Sequence, residues 1–284
     1  MLFTLTVAAV APGADLVFQR LALHQYEDGP LLAPSYEYLP GETVWFSARV
    51  NGYEREVQDR EEELDRARLT WQLRAVDPAG TLIVPPMRGL IEETLRAKED
   101  REWVPKFAVS FVVPSHAVRG EYRIPVTVHD DISKREASGE VKFRVRGEEA
   151  PPADALLGVR DFRFLAREDD RVALRPAVYK QGSPLFAKFE MIGYAFEGNN
   201  HFSVEYGLEI LGPPNAEGVR KTMFGQEKAA AESSEAFYAQ RWVPAGFGLN
   251  LDPDIAPGEY TLVIRLRDKV SGKTADVSQA FQVR

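Results

Sequence analysis

The chain has 284 residues, enough for two domains of ordinary size that each bury their own core. With 44% apolar and 27% charged residues it falls in the globular class, which excludes fibrous and disordered architectures. A net charge of −8, with arginines scattered rather than clustered, argues against nucleic acid as a partner, and the lack of cysteine excludes disulfides and thiolate chemistry.

Residues 1–14, MLFTLTVAAVAPGA, are apolar and small, and too short to span a bilayer. They resemble the end of a secretory signal, which implies an extracytoplasmic (periplasmic or secreted) protein with no membrane span. No Lys or Arg precedes the apolar run, and the alternative is an extra N-terminal strand.

A first repeat is read over 15–146. Leu16 to Leu23 opens it, and the Tyr38-Leu39-Pro40-Gly41 turn launches a strand in which Val44, Phe46, Ala48 and Val50 share one face. The dense mixed charge of Glu54 to Arg68 predicts a short solvated helix or a loop. A strand from Leu69 to Val76 carries Trp71 and ends at Asp77-Pro78-Ala79-Gly80. Propensity then favours helix over the polar stretch Leu90 to Glu102. After Trp103-Val104-Pro105 come a strand over Ala108 to Val113 and a hairpin within Ser115 to Val145. Pro125 sits inside that hairpin's first strand, lacks a donor, and predicts a bulge or a gap in pairing.

A polar linker with adjacent prolines, 147–156, leads to a second copy over 157–284. Shifted by 138 positions, Gly120-Glu121-Tyr122 falls on Gly258-Glu259-Tyr260, Asp130 on Asp268, and Phe143 and Val145 on Phe281 and Val283. Earlier in the repeat the shift is 141: Leu21 and Leu23 match Phe162 and Phe164, and Tyr38 matches Tyr179. Phe46 falls on Ala187 and Ala48 on Phe189, an exchange of large and small that conserves volume, as close-packed cores require. Trp71 matches Tyr206, and the polar stretch Gln226 to Arg241 again favours helix by propensity. Such a register, held through strand, turn and strand, is a repeat signal.

Each copy thus offers about seven short strands, the cue for an antiparallel sandwich. The fold class expected is all-β: two tandem sandwiches related by an internal repeat, with short polar inserts. With Pro257-Gly258-Glu259-Tyr260 and Arg119-Gly120-Glu121-Tyr122 each leading into an alternating strand, the halves resemble bacterial immunoglobulin-like or fibronectin type III-like domains. The resemblance implies that Tyr122 and Tyr260 close a corner with their hydroxyls, and that Trp71 is a core aromatic of a middle strand. The cysteine pair of the disulfide-bearing branch is absent.

Chemistry is hard to place. The sequence has four histidines, none with a His counterpart in the other copy. Asp130-Asp131, Asp252-Pro253-Asp254 and Glu168-Asp169-Asp170 could offer oxygens to calcium, but none fits a twelve-residue binding loop and they read as solvated turns. No catalytic residue, metal site or cofactor is therefore expected, and the chain reads as a non-enzymatic interaction or structural module whose partner is a protein or a cell-surface polymer. Two alternatives stand beside this: a carbohydrate-binding module using exposed aromatics, and an enzyme or its accessory domain shaped by the charged insert 54–68. The candidate contact residues are Trp45 and Phe186, corresponding positions on the outward face of a strand. They would stack on sugar rings or seat a partner, unless a neighbouring strand covers them.

Overall fold

The computed structural model describes residues 15–284, so the reading of 1–14 as a leader lies outside the described residues. The chain forms two compact units, Met1–Glu148 and Glu149–Arg284, divided within the stretch read as a linker. Among the described residues there is no helix, and hence none long and apolar enough to cross a membrane.

The first unit holds β1 (Val17–His24), β2 (Glu37–Tyr38), β3 (Thr43–Asn51), β4 (Glu56–Asp59), β5 (Leu64–Leu73), β6 (Met87–Arg96), β7 (Lys106–Val112), β8 (Gly120–Asp130) and β9 (Glu136–Val145). One sheet runs β1-β3-β7; the other runs β2-β9-β8-β5, with β6 and the short β4 both on β5. The second unit holds β10 (Gly158–Leu165), β11 (Val178–Tyr179), β12 (Pro184–Ile192), β13 (Phe202–Pro214), β14 (Arg220–Ser234), β15 (Trp242–Asn250), β16 (Gly258–Asp268) and β17 (Thr274–Val283). Its sheets run β10-β12-β15 and β11-β17-β16-β13-β14. Strand for strand the order is the same; only β4 has no counterpart. The all-β class and the repeated sandwich follow directly from this topology.

The core lies between the two sheets of each unit. Val44, Phe46, Ala48 and Val50 are buried on β3, as are Leu185, Ala187, Phe189 and Met191 on β12. Rings bridge the sheets: Trp71 of β5 stacks on Phe107 of β7 at 4.4 Å, and Phe189 of β12 meets Tyr206 of β13 edge-on at 5.1 Å. Trp71 is only half-buried, lying at the rim of the core rather than its centre. A Cβ on Gly89, its cross-strand partner in β6, would come within 2.5 Å of the indole, so the ring also covers that bare backbone.

Both corner tyrosines are buried. Tyr122 donates its hydroxyl to the Val118 carbonyl at 2.8 Å, and Tyr260 to that of Ala256 at 2.7 Å. The preceding glycines share one constraint: a Cβ at Gly120 or Gly258 would strike the ring of Pro78 or Pro213. A second repeated device sits at the hairpin. The buried Asp130 carboxylate accepts from the N–H groups of Glu54, Ile132 and Ser133 and from the Ser133 hydroxyl. Asp268 does the same with Ala195, Val270 and Ser271. Burial pushes both carboxyls upward, but these donors outweigh it and hold them below the ordinary carboxylate value.

Two expectations are corrected. The stretches Leu90 to Glu102 and Gln226 to Arg241, favoured as helix, belong largely to β6 and β14. β6 pairs with β5 along its whole length, and Ile91 and Leu95 turn inward while polar neighbours face water. The unpaired side of β5 offers a full ladder, and that outweighs propensity. The run Glu54 to Arg68 is likewise β4, a turn and the start of β5. Its charges pair across strands, Arg68 with both Glu92 and Asp131, rather than along a helix. The anomaly at Pro125 takes the form of a gap: the β5–β8 ladder breaks after Leu73↔Val126 and resumes as the single bridge Val76↔Arg123, whereas β13–β16 runs unbroken to the equivalent Leu211↔Thr261.

Candidate functional site

The outward aromatics occupy matching positions with different neighbours. Trp45 sits between His24 of β1 and Ser110 of β7, half-buried, walling a shallow recess of about 100 Å³. His24 ties the following loop down beside it, with Nδ1 2.8 Å from the Gly29 carbonyl and Nε2 2.7 Å from the Ser47 hydroxyl. Phe186 lies instead over Gly248 of β15, where an added Cβ would come within 2.9 Å of its ring. One aromatic borders a polar recess; the other covers a glycine.

A larger opening lies at the sandwich edge of the first unit, between β1 and β9. It is a cleft of about 380 Å³. Leu21 and Leu23 of β1, Leu31 and Leu32 of the loop, and Val141 and Phe143 of β9 give it an apolar interior. Arg20, Lys142 and Arg144 supply cations at its rim. Lys142 pairs with Glu121 at 2.8 Å, and this lysine holds the Glu121 carboxyl below its ordinary value. Arg20 is exposed, and its guanidinium makes no hydrogen bond or ion pair among the described residues. Tyr36 closes one end, its hydroxyl donating to Glu42 at 2.9 Å.

The second unit shows why this cleft is open. Leu23 pairs with Phe46, and Phe164 with Ala187, so the two occupy one ladder position. Phe164 packs on Phe162, Tyr179 and Phe281 with centroids at 4.8, 6.2 and 5.7 Å, filling the edge with aromatic rings. Leucines in the first unit leave that volume unfilled. The rim differs as well: Lys142 and Arg144 fall on Ala280 and Gln282.

The tyrosine beneath this edge records the same difference. Tyr179 donates to the carbonyls of Leu165 at 2.9 Å and Phe186 at 3.3 Å, and burial pushes its pKa up to about 12. Tyr38 is 2% exposed, and its hydroxyl has no partner among the described residues. Burial, then the nearby Tyr36 and Glu42, raise its pKa further. Its ring packs edge-on against Tyr36 and Phe143 at 5.1 and 5.4 Å instead.

Sequence reasoning placed none of these cleft residues in a site. The signal was present in the pairing of Leu21 and Leu23 with Phe162 and Phe164, a loss of size that Phe18 against Val159 and Tyr36 against Ala177 only partly offset. The acidic groups considered for calcium do not converge: no group of three or more His, Cys, Asp or Glu able to hold a metal occurs among the described residues. Asp130 spends its oxygens on hairpin donors, and Asp170 accepts from the Arg167 N–H.

No family model and no curated protein matches this sequence. Among solved structures, the chain is similar to the C-terminal domain of the Streptococcus pyogenes antigen I/II-family protein AspA, at 8% identity over 96% of this chain and 99% of that one, with a TM-score of 0.31. The C-terminal domain of the Streptococcus agalactiae AgI/II polypeptide BspA matches at 9% identity over 95% and 99%, with a TM-score of 0.29. Pseudomonas fluorescens alkylpurine DNA glycosylase AlkC, bound to DNA containing an abasic site analog, matches at 15% identity over 46% of this chain and 31% of that one, with a TM-score of 0.30. Scores this low bear on no question of function.

Proposed function

We propose that the chain is a non-catalytic, extracytoplasmic binding protein whose first sandwich recognises its partner at the β1–β9 cleft. The observation that carries this is the difference between copies: one fold, closed by phenylalanines in the second unit and left open over leucines in the first. Apolar walls with Arg20, Lys142 and Arg144 at the mouth suit a group with an aliphatic body and an anionic head. A protein side chain with a neighbouring carboxylate and an acylated surface polymer both carry that chemistry. The leader-like character of 1–14 supports the extracytoplasmic placement.

Calorimetric titration of the whole chain with decanoate tests the reading, with decylamine as the control of opposite charge. Decanoate is expected to bind at one site and decylamine much more weakly. Lys142→Ala with Arg144→Gln, the residues of the second copy, should weaken decanoate binding about tenfold, the effect of roughly 1.4 kcal/mol. Equal binding of both amphiphiles, or no change in the double variant, would sink the assignment.

A second reading, glycan stacking on Trp45, is favoured by one observation: its ring borders a recess that also presents Asp28, Ser47 and Ser110. Phe186 offers no such polar surroundings on its glycine. A glycan array probed with the protein and with Trp45→Ala distinguishes this face from the cleft.

A further inference from the structure

The opposite sandwich edge reverses the comparison. In the first unit the chain that leaves β5 doubles back at Asp77-Pro78-Ala79-Gly80, just beyond the Val76↔Arg123 bridge. The Ile83 N–H donates to the Ala75 carbonyl at 3.0 Å, and the Ile83 side chain is buried at 2% exposure. Leu73 and Leu208 hold equivalent ladder positions, so Ala75 corresponds to Ile210. In the second unit β13 runs on to Pro214 and β14 itself returns from Arg220, setting the half-buried Phe224 opposite Ile210. A cleft of about 600 Å³ remains between β14 and the chain that follows β15. Met223, Phe224, Leu249, Leu251 and Ile255 line it, and Met223 is 52% exposed.

Two features define what this cleft takes. Its charged lining is entirely acidic: Asp252 and Asp254 stand at the rim and no Lys or Arg lines it. Asp252 accepts the Asp254 N–H at 2.8 Å, and neither carboxylate has a cationic partner among the described residues. The cleft also lies between two free strand edges, since β14 ends one sheet of the unit and β15 ends the other. A free edge presents unpaired backbone donors and acceptors, which an extended segment can complete.

We infer that this cleft is a peptide-docking site, in which an extended partner segment lies along the β14 edge, places one large apolar side chain between Met223 and Leu249, and sets flanking Lys or Arg residues against Asp252 and Asp254. The apolar group removes exposed surface from water, and the flanking cations meet carboxylates that have no other counter-ion. The site is separate from the β1–β9 cleft, and its success or failure is independent of that assignment.

The test uses the whole chain labelled with carbon-13 at the methionine methyls. It is titrated with two synthetic pentapeptides, acetyl-Lys-Val-Trp-Val-Lys-amide and acetyl-Glu-Val-Trp-Val-Glu-amide. The lysine peptide is expected to shift the Met223 methyl saturably while Met87 and Met191 stay in place. The glutamate peptide should bind at least tenfold more weakly. Asp252→Asn with Asp254→Asn, both exposed and so compatible with folding, should bring the two affinities within about twofold of each other. Met223→Lys should abolish binding of the lysine peptide without altering the melting temperature. Absence of a saturable Met223 shift, equal affinity for both peptides, or a Met223 shift that follows protein concentration without peptide, as self-association would give, each overturns the proposal.

Discussion

The two sandwiches share strand order, corner tyrosine and hairpin aspartate, yet each closes the edge that the other leaves open. The second unit seals the side of its first strand with Phe162 and Phe164, and the first unit leaves a cleft over Leu21 and Leu23. On the far side the first unit folds Ile83 inward, and the second leaves a cleft beside Met223. The lesson is that the repeated residues are those a sandwich needs in order to fold, while divergence concentrates where the two sheets part. Core positions are held by mutual packing, and edge positions answer to whatever covers them.

The shared frame should behave alike in both copies. The largest effect is expected at the hairpin aspartates. Asp130→Ala or Asp268→Ala strands several buried N–H groups and should cost about 3 kcal/mol, read from urea unfolding. A clear inequality between the two would break the equivalence of the copies.

The same carboxylates set an acid limit. Their pKa values are lower folded than unfolded, so their contribution is complete above the unfolded value and is lost as pH falls through the folded one. Melting temperature should therefore drop as pH falls below about 4. Asp130→Asn with Asp268→Asn should flatten that drop, and an unchanged profile would remove these groups from the account.

Smaller effects separate the tyrosines. Tyr122→Phe, Tyr260→Phe and Tyr179→Phe each lose a hydroxyl bond to a carbonyl and should cost roughly 1 kcal/mol. Tyr38→Phe loses none and should change stability by less than about 0.5 kcal/mol, or raise it. Equal costs at Tyr38 and Tyr179 would mean that the two edges do not differ as described.

Much of the fold was legible in the sequence. Alternation at Val44 to Val50 and Tyr260 to Leu266 identified the inward faces, and the offset between copies identified the repeat. Pro125 announced a gap because a missing donor is a local property. The polar strands β6 and β14 were not legible, since their conformation comes from the open sides of β5 and β13 rather than from their own residues. The β1–β9 cleft was legible only as a size difference between the copies. Whether Leu23 in place of Phe164 leaves a gap depends on Tyr38, Phe143 and the loop above them, and those meet only in three dimensions.

The cleft's openness resides in those edge residues, and a reciprocal exchange between the copies measures it. Decanoate is titrated into the wild-type chain, Leu23→Phe and Phe164→Leu, with the number of sites read by calorimetry. One site is expected in the wild type, none in Leu23→Phe, and no loss in Phe164→Leu. Undiminished binding by a folded Leu23→Phe protein would contradict it.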